Sequence, residues 1–209
     1  MVDPERKRRL VPLSPALGAE TADADLVTAV AEGSKAALRT VWDRYVGAVR
    51  ATLRSCLGGD PALEDLTQEV FLGFYRSAAR IREPAALRPY LLGAAVNAAS
   101  LELRSRSRRR RWYHRFHLWS KDAVAPPCIE ERDALRSLHD VLARISARGR
   151  HAFVLRYVQD LAPAEVAQAL GLPIGTAKRA ISEGRRRVLS RARREPALMQ
   201  YLRATEERG

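Results

Sequence analysis

Residues 162–187 read APAEVAQALGLPIGTAKRAISEGRRR, and this stretch predicts a helix-turn-helix. Pro163 suits a first helical position because its missing N–H would be unpaired there, and apolar residues follow it at helical spacing. Gly171 comes where the chain would leave that helix in a left-handed conformation. A second, basic helix beginning at 174–176 is predicted to lie in the major groove of DNA. The alternative is a helical hairpin with a solvated basic face.

The composition agrees with a nucleic-acid-binding protein. The 209 residues carry a net charge of +13 and a pI near 10.7, which is typical of that class, although a membrane-surface protein would also be basic. We expect no membrane insertion and no signal peptide, because long apolar runs are missing from the sequence. Cys56 and Cys128 are interpreted as reduced thiols of a cytoplasmic protein, with Cys56 buried.

The pattern predicts an all-α fold of two small helical domains joined by a flexible linker. Asp23 and Ser34 are expected to cap the first two helices. A third helix is predicted from Asp60-Pro61 to about Arg76, and a fourth from about Arg88 to Arg104. The complete division is a disordered basic leader (1–21), a first domain (22–111), a linker (112–129), a second domain (130–194) and a tail (195–209).

The third predicted helix carries an acidic strip in this basic chain. Asp65, Gln68, Glu69 and Leu72 fall at i, i+3, i+4 and i+7, away from the apolar side of the same helix. Such a strip would repel DNA phosphates, so its natural partner is a basic or mixed protein surface. An ordinary solvated helix face would show the same charge periodicity.

Two longer segments resemble bacterial RNA polymerase sigma factors. Residues 60–76, DPALEDLTQEVFLGFYR, and 87–111, LRPYLLGAAVNAASLELRSRSRRRR, are similar to sigma region 2. Residues 150–189, RHAFVLRYVQDLAPAEVAQALGLPIGTAKRAISEGRRRVL, are similar to region 4. Because only these two regions and a short linker fit in the chain, the resemblance is to the extracytoplasmic-function group of the sigma-70 family.

The resemblance implies a dissociable subunit that binds core RNA polymerase and promoter DNA and directs promoter recognition, DNA melting and transcription initiation. It also implies no catalytic residue and no cofactor of its own, and it makes an anti-sigma factor a candidate partner. The strip on the third helix would dock on the polymerase clamp. The residues implied in capture of the −10 strand are Tyr90, Asn97, Arg104, Arg106, Arg108 and Arg109. Those implied in −35 contact are Thr176, Lys178, Arg179, Ser182, Arg185 and Arg186.

Several positions depart from the family pattern. Tyr90 stands where tryptophan is usual, and the recognition helix has Arg179, Ala180 and Glu183 where the usual residues are serine, arginine and a basic residue. Glu183 would disfavour phosphate contact if it faced the groove. Gly184 inside this helix is expected to cost roughly 1 kcal/mol relative to alanine. An unusual promoter sequence is one consequence of these changes.

Other chemistries find little support in the sequence. His114, His117 and Cys128 give only three candidate metal ligands, whereas a structural zinc site needs four, so no metal is expected. Asp65 and Glu69 are paired carboxylates without a histidine or lysine partner for acid–base catalysis. A stand-alone helix-turn-helix regulator acting as a dimer is the main alternative function, and a nucleic-acid enzyme with a borrowed DNA-binding domain is a second.

Overall fold

The computed structural model describes residues 21–58, 60–115, 141–142 and 144–192, and every regular element in those ranges is helical. The all-α prediction is thus confirmed. Two single 3-10 turns, at 78–80 and 84–86, precede the fourth helix, and a π-helical turn at 154–158 extends the fifth. The helices are α1 (Asp23–Ala31), α2 (Lys35–Leu57), α3 (Leu63–Ser77), α4 (Leu87–Arg115), α5 (Ala147–Phe153), α6 (Pro163–Leu170) and α7 (Ile174–Ala192).

One of the two predicted N-terminal caps is correct. The Ser34 hydroxyl accepts a hydrogen bond from the N–H at the third position of α2, at 3.2 Å. The prediction for Asp23 was wrong, because Ala22 is the N-cap of α1 and makes no side-chain cap. Asp23 lies in the first turn and accepts hydrogen bonds from Arg44, at 2.8 Å, and from the Tyr45 hydroxyl, at 2.5 Å. Burial and this carboxylate raise the pKa of Tyr45 to about 12.

The third helix separates an apolar face from a polar one, as its sequence predicts. Leu66, Val70 and Phe74 are buried against the neighbouring helices. Trp42 of α2 packs on Phe71 with ring centroids 4.6 Å apart and contacts the core from its edge. This packing fixes which side of α3 remains available to a partner.

The fourth helix is longer than the sequence suggested. It runs from Leu87 to Arg115, so the predicted end at Arg104 was wrong. The reason is local: the arginine-rich tract is free of glycine and proline, and arginine is a good helix former. Residues 112–115, which we assigned to the linker, therefore belong to this helix. The rest of the predicted linker lies outside the described residues, as do Cys128, nearly all of the leader and the tail.

The first helix of the helix-turn-helix begins and ends at the residues that the sequence predicts. Pro163 is the first residue of α6, and Gly171 ends that helix with φ +61°, in the left-handed region. Ala162 provides no side-chain cap, but its own N–H donates to the Glu165 carboxylate at 2.7 Å. α7 then begins at Ile174, within the predicted range.

A pair of glycines explains how α7 crosses α5. A Cβ added at Gly184 would lie 2.5 Å from the carbonyl oxygen of Gly149 and 3.1 Å from Cβ of Phe153. The helices approach each other too closely for any side chain at this point. Gly184 is therefore needed for the packing of α7 on α5, although it lowers the helix propensity of α7. The sequence alone did not indicate this packing role.

The two helical units share one continuous core. α6 packs on α4, and the π-helical turn packs on α2. Cys56 is buried, as expected, and burial raises the pKa of its thiol to about 12. Among the described helices, none is both long and apolar enough to cross a bilayer.

Candidate nucleic-acid interface and protein-docking face

The exposed side of α3 combines charge with large apolar side chains. Asp65, Gln68 and Glu69 are all exposed, and Leu72 beside them is 50% exposed. Tyr75, at 44%, extends the same exposed surface by one turn. The sequence analysis did not include Tyr75 in this surface. Tyr75 follows Leu72 by three residues, and this spacing places the two side chains on the same side of the helix. Acidic groups around exposed leucine and tyrosine side chains form a surface suited to a protein partner.

Tyr90 is anchored at the start of α4. Its hydroxyl shares a hydrogen bond with the Ser77 hydroxyl at 2.7 Å, and its ring meets Phe74 edge-on with centroids 6.3 Å apart. The ring is half-buried, so one part of it remains open to solvent. A tyrosine held in this way offers a fixed aromatic surface on which a base could stack.

The polar residues farther along α4 differ in their availability. Asn97, Arg104 and Arg108 are exposed. Arg106 instead forms ion pairs with Asp60 and with Glu102, and these carboxylates raise its pKa. Since Asp60 lies in the segment before α3, Arg106 ties the two helices together.

Arg109 belongs to α4, but its side chain lies outside those the structure describes. The same holds for His114, while His117 and Cys128 lie outside the described residues altogether. Among the described side chains, no cluster of three or more potential ligands could hold a metal ion.

Five of the six candidate residues on the recognition helix form one exposed basic surface. Lys178, Arg179, Ser182 and Arg186 line one shallow groove together with Glu183. Arg185 lines a second groove, which Ser182 and Arg186 share with Tyr157 of the π-helical turn. Thr176 is half-buried in the first turn of α7. Hydroxyl and guanidinium groups along a helix edge are the donors that phosphate oxygens accept from.

Glu183 has a local partner. Its carboxylate lies 3.5 Å from Nε of Arg187, four residues later on α7. This pair reduces the repulsion that an isolated carboxylate would exert on DNA, although an exposed pair of this kind contributes little to stability. Arg187 thus offsets the negative charge of Glu183, the acidic residue that departs from the family pattern.

Two models of protein families match this chain. The sigma-70 region 2 model matches residues 41–109, and the sigma-70 region 4 model matches residues 135–188. The chain belongs to the sigma-70 family. As a member of its extracytoplasmic-function group, it is a dissociable sigma factor, which binds core RNA polymerase and directs promoter recognition, DNA melting and transcription initiation.

Relatives and solved structures agree with this assignment. The sigma factor is 24% identical over 174 residues to the RNA polymerase sigma-H factor of Pseudomonas aeruginosa, covering 78% of this chain and 90% of the relative. CnrH, solved in complex with the cytosolic domain of CnrY, has a similar fold with a TM-score of 0.63 and 18% identity, covering 84% of this chain and 99% of CnrH. Sigma factor RpoE of Bartonella quintana, solved with the anti-sigma factor NepR, gives a TM-score of 0.59 and 19% identity, covering 75% and 97%.

Proposed function

We propose that this sigma factor binds the core polymerase through the exposed face of α3. The observation that carries the proposal is the acidic strip of Asp65 and Glu69 around Leu72 in a chain whose net charge is +13. A carboxylate pair beside an exposed leucine fits a basic protein surface with an apolar centre and is unsuited to DNA. Gln68 and the neighbouring Tyr75 would complete the contact.

Region 2 would capture the −10 strand along α4. Tyr90 would stack on an unpaired base, Asn97 would contact a base edge, and Arg104 and Arg108 would neutralise phosphates. Arg109 stays in this set as a prediction from the sequence. Arg106 is removed from it, because two carboxylates already hold its guanidinium. Breaking both ion pairs to reach a phosphate would remove a cationic partner from the nearly buried Asp60 carboxylate.

Region 4 would hold the −35 duplex with α7. The residues proposed to contact it are Thr176, Lys178, Arg179, Ser182, Arg185 and Arg186. Their support is the continuous groove surface that most of them line. Because Arg179 stands where serine is usual in the family, it is the residue that we expect to change the preferred −35 sequence.

The remaining assignments follow from these contacts. The chain itself makes and breaks no bonds, since polymerase supplies the catalytic metal and the chemistry, and the sigma factor needs no cofactor. It would act in the cytoplasm, where polymerase and chromosomal DNA are found. An anti-sigma factor is the proposed regulatory partner, because the RpoE of Bartonella quintana was solved in complex with the anti-sigma factor NepR.

The DNA contact of region 4 can be tested on one lysine. We expect Lys178→Ala to weaken binding to a −35 duplex and to reduce the slope of log affinity against log salt by about one, because one phosphate contact is lost. The measurement is fluorescence anisotropy across a salt series. Glu165→Ala on α6 is the control for a change in helix stability, and a slope equal to that of the unmodified chain would remove Lys178 from the phosphate-contacting set.

The function as a whole is tested by size-exclusion chromatography of the purified chain with bacterial core polymerase. Co-elution is expected at moderate salt. Free elution of the sigma factor with no regulator present would favour the stand-alone DNA-binding regulator. In that case, analytical ultracentrifugation should show a dimer.

A further inference from the structure

One carboxylate joins the helix proposed to bind polymerase to the helix proposed to capture the −10 strand. Asp60 lies just before α3, and its side chain is 6% exposed. Its Oδ1 accepts a hydrogen bond from the Ala62 N–H at 2.8 Å, in the turn that opens α3. Its Oδ2 accepts a second bond from the guanidinium of Arg106, on α4. The two oxygens of Asp60 therefore contact two different helices.

Arg106 also binds a carboxylate of its own helix. Its Nε donates to Oε1 of Glu102 at 2.6 Å. Glu102 precedes Arg106 by four residues, which is the favourable order for an ion pair along a helix. We call Asp60, Glu102 and Arg106 the Arg106 cluster. Its guanidinium covers two carboxylates that are largely removed from water, because their side chains are 6% and 20% exposed.

The end of α4 is rich in charge and poor in apolar contacts. Among the described side chains of α4, Leu103 is the last that packs against the apolar core. Residues 104–111 read RSRSRRRR, and like charges three or four positions apart destabilise a helix. The Arg106 cluster offsets part of this repulsion with two carboxylates, and it ties the segment beyond Leu103 to the start of α3.

Arg106 lies on the side of α4 opposite to two exposed arginines. At 3.6 residues per turn, Arg104 and Arg108 are separated from Arg106 by about 160–200° around the helix axis. Both are exposed, whereas Arg106 contacts the segment before α3. Tyr90 and Asn97 lie within about 40° of the line through Arg104 and Arg108. Holding Arg106 against the start of α3 therefore turns this strip of four residues outward.

We propose that the Arg106 cluster positions the arginine-rich end of α4, so that Arg104 and Arg108 face the −10 strand. The proposal rests on the proposed role of α4 in strand capture. Arg106 is a positioning residue, because it acts on DNA through its neighbours and makes no phosphate contact itself. Since Asp60 also caps the turn before α3, the cluster keeps the polymerase-binding helix and the strand-capturing helix at a fixed spacing.

Removing the charge of Asp60 separates positioning from simple electrostatics. Asp60→Asn raises the net charge by one from +13 and releases Arg106 from one of its two carboxylates. If charge alone mattered, a DNA strand would bind more tightly, and one new phosphate contact would steepen the salt dependence by about 0.7. Loss of positioning predicts the opposite, because Arg104 and Arg108 would no longer face the strand together. The asparagine oxygen can still accept from the Ala62 N–H, so the turn before α3 is kept.

Fluorescence anisotropy measures the affinity of the full chain for a labelled single-stranded DNA of mixed sequence across a salt series. We expect Asp60→Asn to bind roughly threefold to tenfold more weakly, with a shallower salt slope. Asp43→Asn is the matched control, because Asp43 is also paired with an arginine, Arg39, on the exposed side of α2. It changes the net charge equally, and its affinity should not fall.

A double-mutant cycle shows whether the cluster acts through its neighbours. Asp60→Asn is repeated in a chain that carries Arg104→Ala and Arg108→Ala. Because the positioned guanidinium groups are then gone, the further loss of affinity should be less than about twofold. Arg106→Lys is a second test, in which the positive charge stays but the planar fork that binds both carboxylates is lost. It should also weaken binding, and it serves as the test if Asp60→Asn fails to fold.

Hydrogen exchange distinguishes positioning from a general loss of stability. In the full chain without polymerase, the amides of residues 103–111 should exchange faster in Asp60→Asn than in the unmodified chain, while α2 keeps its protection. Mass spectrometry of peptic peptides measures both segments. Faster exchange throughout region 2 would mean that Asp60 only stabilises the fold, and the positioning role would be lost.

Two binding results would also overturn the proposal. Unchanged or tighter binding of Asp60→Asn would mean that the end of α4 keeps its orientation without the cluster, or that the released Arg106 contacts phosphate. An equal loss in the background of Arg104→Ala and Arg108→Ala would mean that Asp60 does not act through these arginines. In both cases strand capture by α4 stands. If Arg104→Ala with Arg108→Ala leaves the affinity unchanged, strand capture fails together with this proposal.

Discussion

Two helix crossings in this sigma factor depend on glycine, and they differ in what they join. Gly184 lets α7 cross α5 within region 4, where the recognition helix must be held in one orientation. Gly93 lets α6 approach α4 between regions 4 and 2, since a Cβ there would overlap the carbonyl oxygen of Ala169. The same close approach therefore joins two helices of one region at one place and two different regions at the other.

The surroundings of the two glycines reflect this difference. Gly184 faces Gly149 and Phe153, so both sides of the crossing consist of closely packed backbone and an aromatic side chain. The contact between regions also includes Ser100 and His151, which share a buried hydrogen bond. This contact therefore combines a polar pair with the apolar core that the two regions share.

The largest expected effect is on the crossing of α7 and α5 within region 4. Gly184→Ala should destabilise region 4 by about 1–3 kcal/mol, because its Cβ would overlap the carbonyl oxygen of Gly149. Gly175→Ala, in the same helix with open space around it, is the control and should stabilise the chain by up to about 1 kcal/mol. Denaturant unfolding followed by circular dichroism measures both changes.

The same unfolding experiment is carried out on Gly93→Ala to compare the two crossings. Its free energy of unfolding should fall less than that of Gly184→Ala, because region 4 can move away from α4 as a unit. An equal loss in the two variants would mean that the regions cannot separate without unfolding, and the distinction between the two crossings would fail.

A smaller effect is expected from pH at the contact between regions 4 and 2. Burial, together with the positive charges of Arg150 and Arg104, lowers the pKa of His151 to about 4 from its ordinary value near 6.5. His151 packed against α4 therefore binds a proton less readily than it would in water. The contact between regions 4 and 2 is thus fully stable above about pH 6.5 and loses stability as the pH decreases from there toward 4.

Small-angle X-ray scattering at pH 7.5 and pH 5 measures how the radius of gyration depends on pH. The unmodified chain should expand at the lower pH, whereas His151→Gln, which keeps a hydrogen-bonding group near Ser100 but cannot titrate, should expand less. Cys56 and Ser100 also face this part of α5, but neither gains a proton in that range. Equal expansion of both chains would show that His151 is not the titrating group.

Local signals in the sequence were sufficient for most of the fold. Ser34 as a cap, Gly171 as a helix end and the two faces of α3 all depend on residues within a few positions of one another. The two errors have different reasons. The carboxylate of Asp23 accepts hydrogen bonds from Arg44 and Tyr45, which are 21 and 22 residues away in sequence, whereas the arginines that propagate α4 beyond Arg104 act locally.

Contacts between distant residues could not be predicted in this way. Gly93 and Ala169 are far apart in sequence, and neither signals that the other lies beside it. The ion pairs of Arg106 depend on the position of Asp60, which is known only once α3 and α4 are packed together. For this reason the sequence grouped Arg106 with the DNA-contacting arginines.

The central claim, that this sigma factor binds polymerase through α3, is tested most directly by charge reversal. Asp65→Lys with Glu69→Lys is compared with Glu32→Lys and Asp43→Lys, two exposed acidic residues outside α3, so both double variants change the net charge equally. The measurement is co-elution with core polymerase at one fixed salt concentration. We predict that the α3 variant elutes free while the control co-elutes like the unmodified chain. Retention of the α3 variant on the polymerase would contradict the assigned face.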